Sequence, residues 1–140
     1  MMNLFAYGTL MDPEIMARVS GLRPRSENAA LDGYVRKAVR GEVYPAITPR
    51  KGARVRGVLY FDLSPEAVER LDRFEGPMYR RRAVTVTAEA AGSEETAAET
   101  YVIAPENLDR LSDEDWRFDE FLKNGKGRFQ RSYEGYGKLE

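Results

Sequence analysis

VRGVLYFDLSPEAVERLDRFEGPMYRRRAVTVTA, residues 55–88, changes hydrophobic period twice, and those two changes organise the chain. Val55, Gly57, Leu59, Phe61 and Leu63 alternate onto one face and Val58 and Tyr60 onto the other, the period of a strand. Ser64-Pro65-Glu66 then supplies an N-cap, a proline at the first helical position and an acid in the first turn, and Gly76-Pro77 ends the helix so begun. Tyr79–Ala88 returns to strand character. Within the helix, Val68, Leu71 and Glu75 sit at i, i+3 and i+7 and share a face, while Glu66, Glu69, Arg70 and Arg73 fill the others. That shared face is therefore the buried one. Glu75 breaks two local rules there, as a carboxylate facing apolar surroundings and as an acid in a last turn, where the helix dipole is negative. Both effects push its pKa upward and make it a candidate acid/base. The structural alternative is a strong helix former that reaches solvent or pairs with Arg73 or with one of Arg80–Arg82.

Working outward, residues 2–7 read as a strand, and Asp12-Pro13-Glu14 opens a helix that carries Ile15, Met16 and Val19 and stops at Gly21. Residues 29–40 and 43–48 read as extended, the second as an edge or bent segment because of Tyr44-Pro45. Thr96–Ala104 is a further strand, joined to Tyr79–Ala88 by a hairpin excursion, AEAAGSEETAAE at 88–99. A short helix is expected near Asp113–Leu122, carrying Trp116, Phe118 and Phe121, with Asp113, Glu114 and Asp115 as its solvated start. The glycine-rich end, GKGRFQRSYEGYGKLE, reads as irregular. Strands in adjacent runs with few short helices predict an α+β fold with a mixed or barrel-like sheet, not a doubly wound one. With no repeat and no linker, the 140 residues are expected to form a single domain, its core at about 2–123 and an irregular tail at 124–140.

Composition narrows the chemistry. The chain has no cysteine and no histidine, which removes thiolate nucleophiles, Ser-His-Asp arrangements and the commonest metal ligands. Proton transfer near neutral pH would fall to a carboxylate of raised pKa, with lysine or tyrosine behind it. A net charge of −1 gives no basic field for nucleic acid. Arg80-Arg81-Arg82, without wider basic surroundings, reads as a solvated strand end, with Arg81 on the face of Tyr79 and its neighbours on the other. No apolar run is long enough to span a bilayer and the start does not read as a signal peptide, so the cytoplasm is the expected compartment and no membrane partner is expected. No acidic spacing matches a calcium loop, and neither a metal nor another cofactor is expected.

The stretch LFAYGTLMDPE, residues 4–14, offers chemistry complementary to Glu75. A strand–Gly–Thr–helix turn exposes successive backbone N–H groups, and glycine admits a ligand close to them. The turn can hold a carboxylate or an oxyanion, or it can be a turn and nothing more. It matches neither a P-loop nor a dinucleotide fingerprint. GEVYPAITP, residues 41–49, reads as a sheet corner in preference to a pocket wall.

Taken together, FAYGTL, GEVYPAITP, VRGVLYFDL, LDRFEGPMYRRRAVTV and TYVIAP, in this order over roughly residues 4–104, resemble the γ-glutamylcyclotransferase-like family, including its avirulence-induced plant branch and the γ-glutamylamine cyclotransferases. The resemblance implies a small barrel-like α+β fold with one pocket, in which backbone groups of Tyr7, Gly8, Thr9 and Leu10 hold a γ-glutamyl moiety. It maps the family's acid/base glutamate, in the EGxxYxR element, onto Glu75. Tyr79 and Arg81 fall on flanking positions with a supporting, substrate-binding role. Arg81 is out of strand parity with Val84 and Val86, which suggests an intervening bulge. The implied activity is a lyase-type cyclotransfer that releases 5-oxoproline and an amine from a small γ-glutamyl substrate, without cofactor or metal. The alternative is a non-catalytic module that binds a γ-glutamyl or carboxylate metabolite in the same pocket.

Overall fold

The computed structural model describes residues 1–89 and 94–132. Its strands are β1 (Met2–Ala6), β2 (Ser26–Ala38), β3 (Pro45–Leu63), β4 (Tyr79–Ala88) and β5 (Glu95–Ile103). They close into a barrel in the order β1-β3-β2-β4-β5. Neighbours pair antiparallel, except that β1 meets β5 in parallel at Leu4 and Glu99. This is the α+β, barrel-like sheet expected from the pattern of elements. Because side chains alternate along each strand, the sheet has two apolar faces. Phe5, Leu59, Val86 and Val102 fill the barrel interior. Leu4, Tyr60, Tyr101 and Ile103 face outward and join the core formed with the helices.

Helix α1 (Pro13–Ser20) starts where Asp12 accepts from the Glu14 N–H, and it ends at Gly21, whose left-handed φ of 78° few other residues adopt at so little cost. Helix α2 (Pro65–Glu75) starts where Ser64 accepts from the Ala67 N–H, and it ends at Gly76. Its fully buried residues are Ala67, Leu71 and Phe74, so the buried stripe is centred beside the expected one. Val68 and Glu75 form its partly buried flank.

Three local expectations differ from the structure. Residues 43–48 are not a separate segment: from Pro45 they begin the 19-residue β3 that runs on to Leu63. The two prolines are tolerated because Pro45 and Pro49 lie where β2 is the partner, opposite Ala38 and Tyr34, while β1 joins only from Val58 onward. The bulge lies in β3 and not in β4. Register against β1 slips between Met2 and Leu4, and Asp62 takes a left-handed φ of 57° with its N–H donating to Asn3 Oδ1 at 3.0 Å. The extra residue turns Leu63 onto the face of Tyr60, under the helices, and away from Leu59. β4 pairs with β5 without a slip from Tyr79 to Thr87, so Arg81 belongs with Tyr79 on the outer face while Val84 and Val86 face inward.

The third difference is at the end of the chain. Helical geometry begins only at Phe118 and continues through α3 (Phe118–Glu120), a π-helical turn (Phe121–Gly125) and α4 (Lys126–Ser132). Asp113–Asp115 are not its first turn: Glu114 O accepts from the Ala38 N–H, and Asp115 pairs with Lys37 Nζ at 2.6 Å. Phe121, Gly125 and Phe129 bury at helical spacing, so tertiary packing supplies what the glycines withhold in propensity. The tip of the hairpin excursion (90–93) and the end of the tail (133–140) lie outside the described residues. Among the described residues no helix is long and apolar enough to cross a membrane.

Candidate active site

β1 delivers the chain to a single 3-10 turn, Thr9–Met11, in which Gly8 O accepts from the Met11 N–H and Thr9 O from the Asp12 N–H. Arg36 donates to Tyr7 O at 2.8 Å, and the Tyr60 hydroxyl donates to Leu10 O at 2.6 Å. All four carbonyls from Tyr7 to Leu10 are therefore engaged. The N–H groups at the start of the turn have no intrahelical partner by geometry, so the turn's remaining chemistry is that of a donor. The Tyr7 hydroxyl ties the same segment to the barrel, donating to Tyr101 O at 2.6 Å. Gly8 is required here for space: a Cβ would stand 2.9 Å from Pro45 Cγ.

Tyr7, Gly8, Thr9 and Leu10 form one side of a cavity, and Glu75, at the end of α2, lines it too. The cavity is a cleft with about 400 Å³ of empty space. Glu75 keeps some surface as a residue, but its carboxyl is enclosed by protein. Loss of hydration pushes its pKa up to about 8, and the negative charge of Asp72, one turn earlier, adds to the rise. Asp72 in turn accepts from the Tyr101 hydroxyl at 2.6 Å. Burial and the nearby carboxylates hold the Tyr101 hydroxyl protonated far above its usual range. At pH 7 about one Glu75 in ten is ionised.

The structure thus brings Glu75 and the Tyr7–Leu10 turn together across 65 residues of sequence. Tyr79 also lines the cavity, and its hydroxyl donates to Pro45 O at 2.8 Å, fixing the start of β3 against the site. Arg81 does not line it. Its Nε lies 3.7 Å from Asp72 and 3.5 Å from Glu99, on the outer side of the sheet, so it meets the site at one remove, through Asp72 and the cross-strand Tyr101. The 41–49 segment is a wall and not only a corner: Tyr44 and Pro45 line the cavity. Sequence reasoning also missed Phe74, Tyr101 and Phe129. Phe129 was legible in the spacing of Phe121, Gly125 and Phe129; Tyr101 was one strand residue among several. Among the described residues no cluster of three or more His, Cys, Asp or Glu side chains is placed to hold a metal ion. A donor-rich turn facing a carboxyl that is neutral at pH 7, yet close to ionising, can anchor an anion and exchange a proton beside it.

Residues 4–118 match a protein family described as gamma-glutamyl cyclotransferase, AIG2-like. The chain is 30% identical over 132 residues to AIG2-like protein A of Arabidopsis thaliana, covering 94% of this chain and 78% of that protein. It is 32% identical over 127 residues to AIG2-like protein C of the same plant, covering 91% and 73%. An Arabidopsis thaliana protein of known solution structure superposes with a TM-score of 0.72 at 28% identity, over 93% of this chain and 78% of that one. A structure described as a gamma-glutamyl cyclotransferase superposes with a TM-score of 0.66 over 99% and 85%, at 16% identity, a likeness of fold.

Proposed function

This chain belongs to the gamma-glutamyl cyclotransferase, AIG2-like family, and from that premise we propose that it is an enzyme cleaving a small γ-glutamyl amine or peptide into 5-oxoproline and an amine. The substrate's α-ammonium gives a proton to the Glu75 carboxylate. The freed nitrogen attacks the γ-carbonyl carbon of the same molecule, forming the C–N bond of a five-membered lactam. The tetrahedral oxyanion collapses as the C–N bond to the leaving nitrogen breaks and Glu75 gives its proton to that nitrogen. Glu75 then takes the surplus proton of the ring nitrogen, leaving the lactam N–H, and passes it to the released amine, which departs as an ammonium. No water is consumed and no protein nucleophile is needed, because attack within one molecule supplies the proximity.

Each residue has a role in this scheme. Glu75 is the catalytic acid/base, poised by burial and by Asp72. The backbone of Tyr7, Gly8, Thr9 and Leu10 binds the negative charge of the γ-glutamyl group, whether its α-carboxylate or the developing oxyanion. Tyr79 serves from the wall, by holding Pro45 in place. Arg81 acts at one remove, as the countercharge to Asp72, without touching the substrate.

The observation that supports the reading is the coincidence, in one cavity, of the raised-pKa Glu75 carboxyl with a turn whose carbonyls are all engaged elsewhere. The test is incubation with a panel of γ-glutamyl amines, amino acids and peptides, following 5-oxoproline by mass spectrometry. Wild-type protein should release it from at least one of them, and Glu75→Gln should lose at least about 100-fold in rate. No turnover by the wild-type chain, or full turnover by Glu75→Gln, refutes it.

A further inference from the structure

The cavity has two chemically distinct sides. The turn and Glu75 are polar, whereas Tyr44, Phe74 and Phe129 present aromatic rings. Phe129 is the centre of that aromatic side. Its ring lies 5.9 Å from Phe74, 6.2 Å from Tyr44 and 5.8 Å from Phe121, each edge-to-face, and 2% of the residue is exposed. This geometry suits aromatic rings and leaves little slack around the Phe129 side chain.

Phe129 is supplied by α4, which is held to the barrel by side chains. Lys126 Nζ lies 2.7 Å from Asp12 and 3.1 Å from Glu14, and Arg128 donates to Gly41 O at 2.8 Å. Asp12 is buried and directly follows the Thr9–Met11 turn. The Lys126–Asp12 pair therefore ties the helix that carries the aromatic wall to the end of the donor turn. No lysine or arginine of the described residues lines the cavity, so an anionic group on that side would find no countercharge.

Resting on the γ-glutamyl reading above, we infer that Phe129 sets the size of the amine that the cavity accepts. The charged γ-glutamyl head belongs with the turn and Glu75, so the carbon skeleton of the amine lies against the aromatic wall. The Phe129 ring fills space on the aromatic side of the cleft that a longer skeleton needs. Short amines that carry no anionic group are therefore favoured by the wild-type chain.

The test uses γ-glutamyl methylamide, butylamide and hexylamide with wild-type, Phe129→Leu and Phe129→Ala protein. Two quantities are read for each pair: 5-oxoproline release as kcat/KM, and affinity by calorimetry. Phe129→Leu should raise the hexylamide-to-methylamide ratio by about tenfold in both readouts, and Phe129→Ala should raise it further. Phe129→Leu retains an apolar side chain of similar length and carries the test if Phe129→Ala does not fold. An unchanged ratio alongside turnover overturns the assignment of Phe129 and leaves the reaction standing. A raised ratio in affinity with no 5-oxoproline from any protein supports the Phe129 wall and overturns the reaction. Absence of both binding and turnover in all three proteins overturns both.

Discussion

Replacing Glu75 by glutamine removes a buried ionisable group while keeping the shape of its side chain, and the effect on stability has a pH signature. The folded carboxyl ionises at about 8 instead of the ordinary 4.5, because burial and Asp72 disfavour its charge. Between those values the folded state holds a proton that the unfolded state has released. The stabilisation is therefore complete below the unfolded value and is lost as pH rises through the folded one. The displacement is worth about 5 kcal/mol over the whole window and about 4 kcal/mol between pH 5 and pH 9. Glutamine does not titrate, so any difference in its own hydrogen bonding is a constant offset that cancels when two pH values are compared. The window is unusually clear, since the chain has no histidine and no cysteine. Urea unfolding at pH 5, 7 and 9, followed by Trp116 fluorescence and far-UV circular dichroism, measures the margin between the two proteins. Glu75→Gln should gain about 4 kcal/mol on the wild type from pH 5 to pH 9. A margin constant to within about 1 kcal/mol across that range refutes a desolvated Glu75.

The same ionisation predicts that kcat/KM for a γ-glutamyl substrate rises as pH increases towards 8 and falls only when the substrate's own ammonium deprotonates; a profile flat from pH 6 to 8 contradicts Glu75 as the base. Gly8→Ala sets a Cβ 2.9 Å from Pro45 Cγ, so the turn or the wall must shift; turnover should drop at least tenfold, with stability lowered by about 1–2 kcal/mol in thermal melts. Lys126→Met leaves the buried Asp12 carboxylate without its cation and should lower stability by about 2 kcal/mol in urea titrations. Gly57→Ala drives a methyl group into the Ala6 carbonyl and the Phe5 ring inside the barrel, and should lower stability by about 3 kcal/mol, read as a fall in Tm.

Much of the local structure was legible because it is encoded in short-range chemistry. The caps at Asp12 and Ser64, the prolines at 13 and 65 and the glycines at 21 and 76 mark the ends of α1 and α2 through their own dihedral and hydrogen-bonding preferences. Alternation in Tyr79–Ala88 gave that strand its bounds. The element pattern was enough for the fold class, and the raised pKa of Glu75 was readable from the helix face it shares with Val68 and Leu71. The second cause of that rise, Asp72, was not, because Asp72 is one of several charges on the helix and only contact with Tyr101 and Arg81 singles it out.

Other features depend on groups that are distant in sequence. The bulge at Asp62 exists because Asn3 accepts its N–H, and it alone decides that Leu63 faces the helices. The helix from Phe118 to Ser132 has weak local propensity and forms against Tyr44, Phe74 and the Asp12–Glu14 start of α1. Sequence alone determined β1, β4 and β5, the two capped helices, and the candidate pair of the Gly8 turn and Glu75, since each is written in residues within a turn or two of one another. Tertiary structure alone decided that this pair shares a cleft, that Arg81 stays outside it, and that Phe129 closes its aromatic side. Those outcomes are set by barrel closure and side-chain packing, which join residues that no local pattern relates.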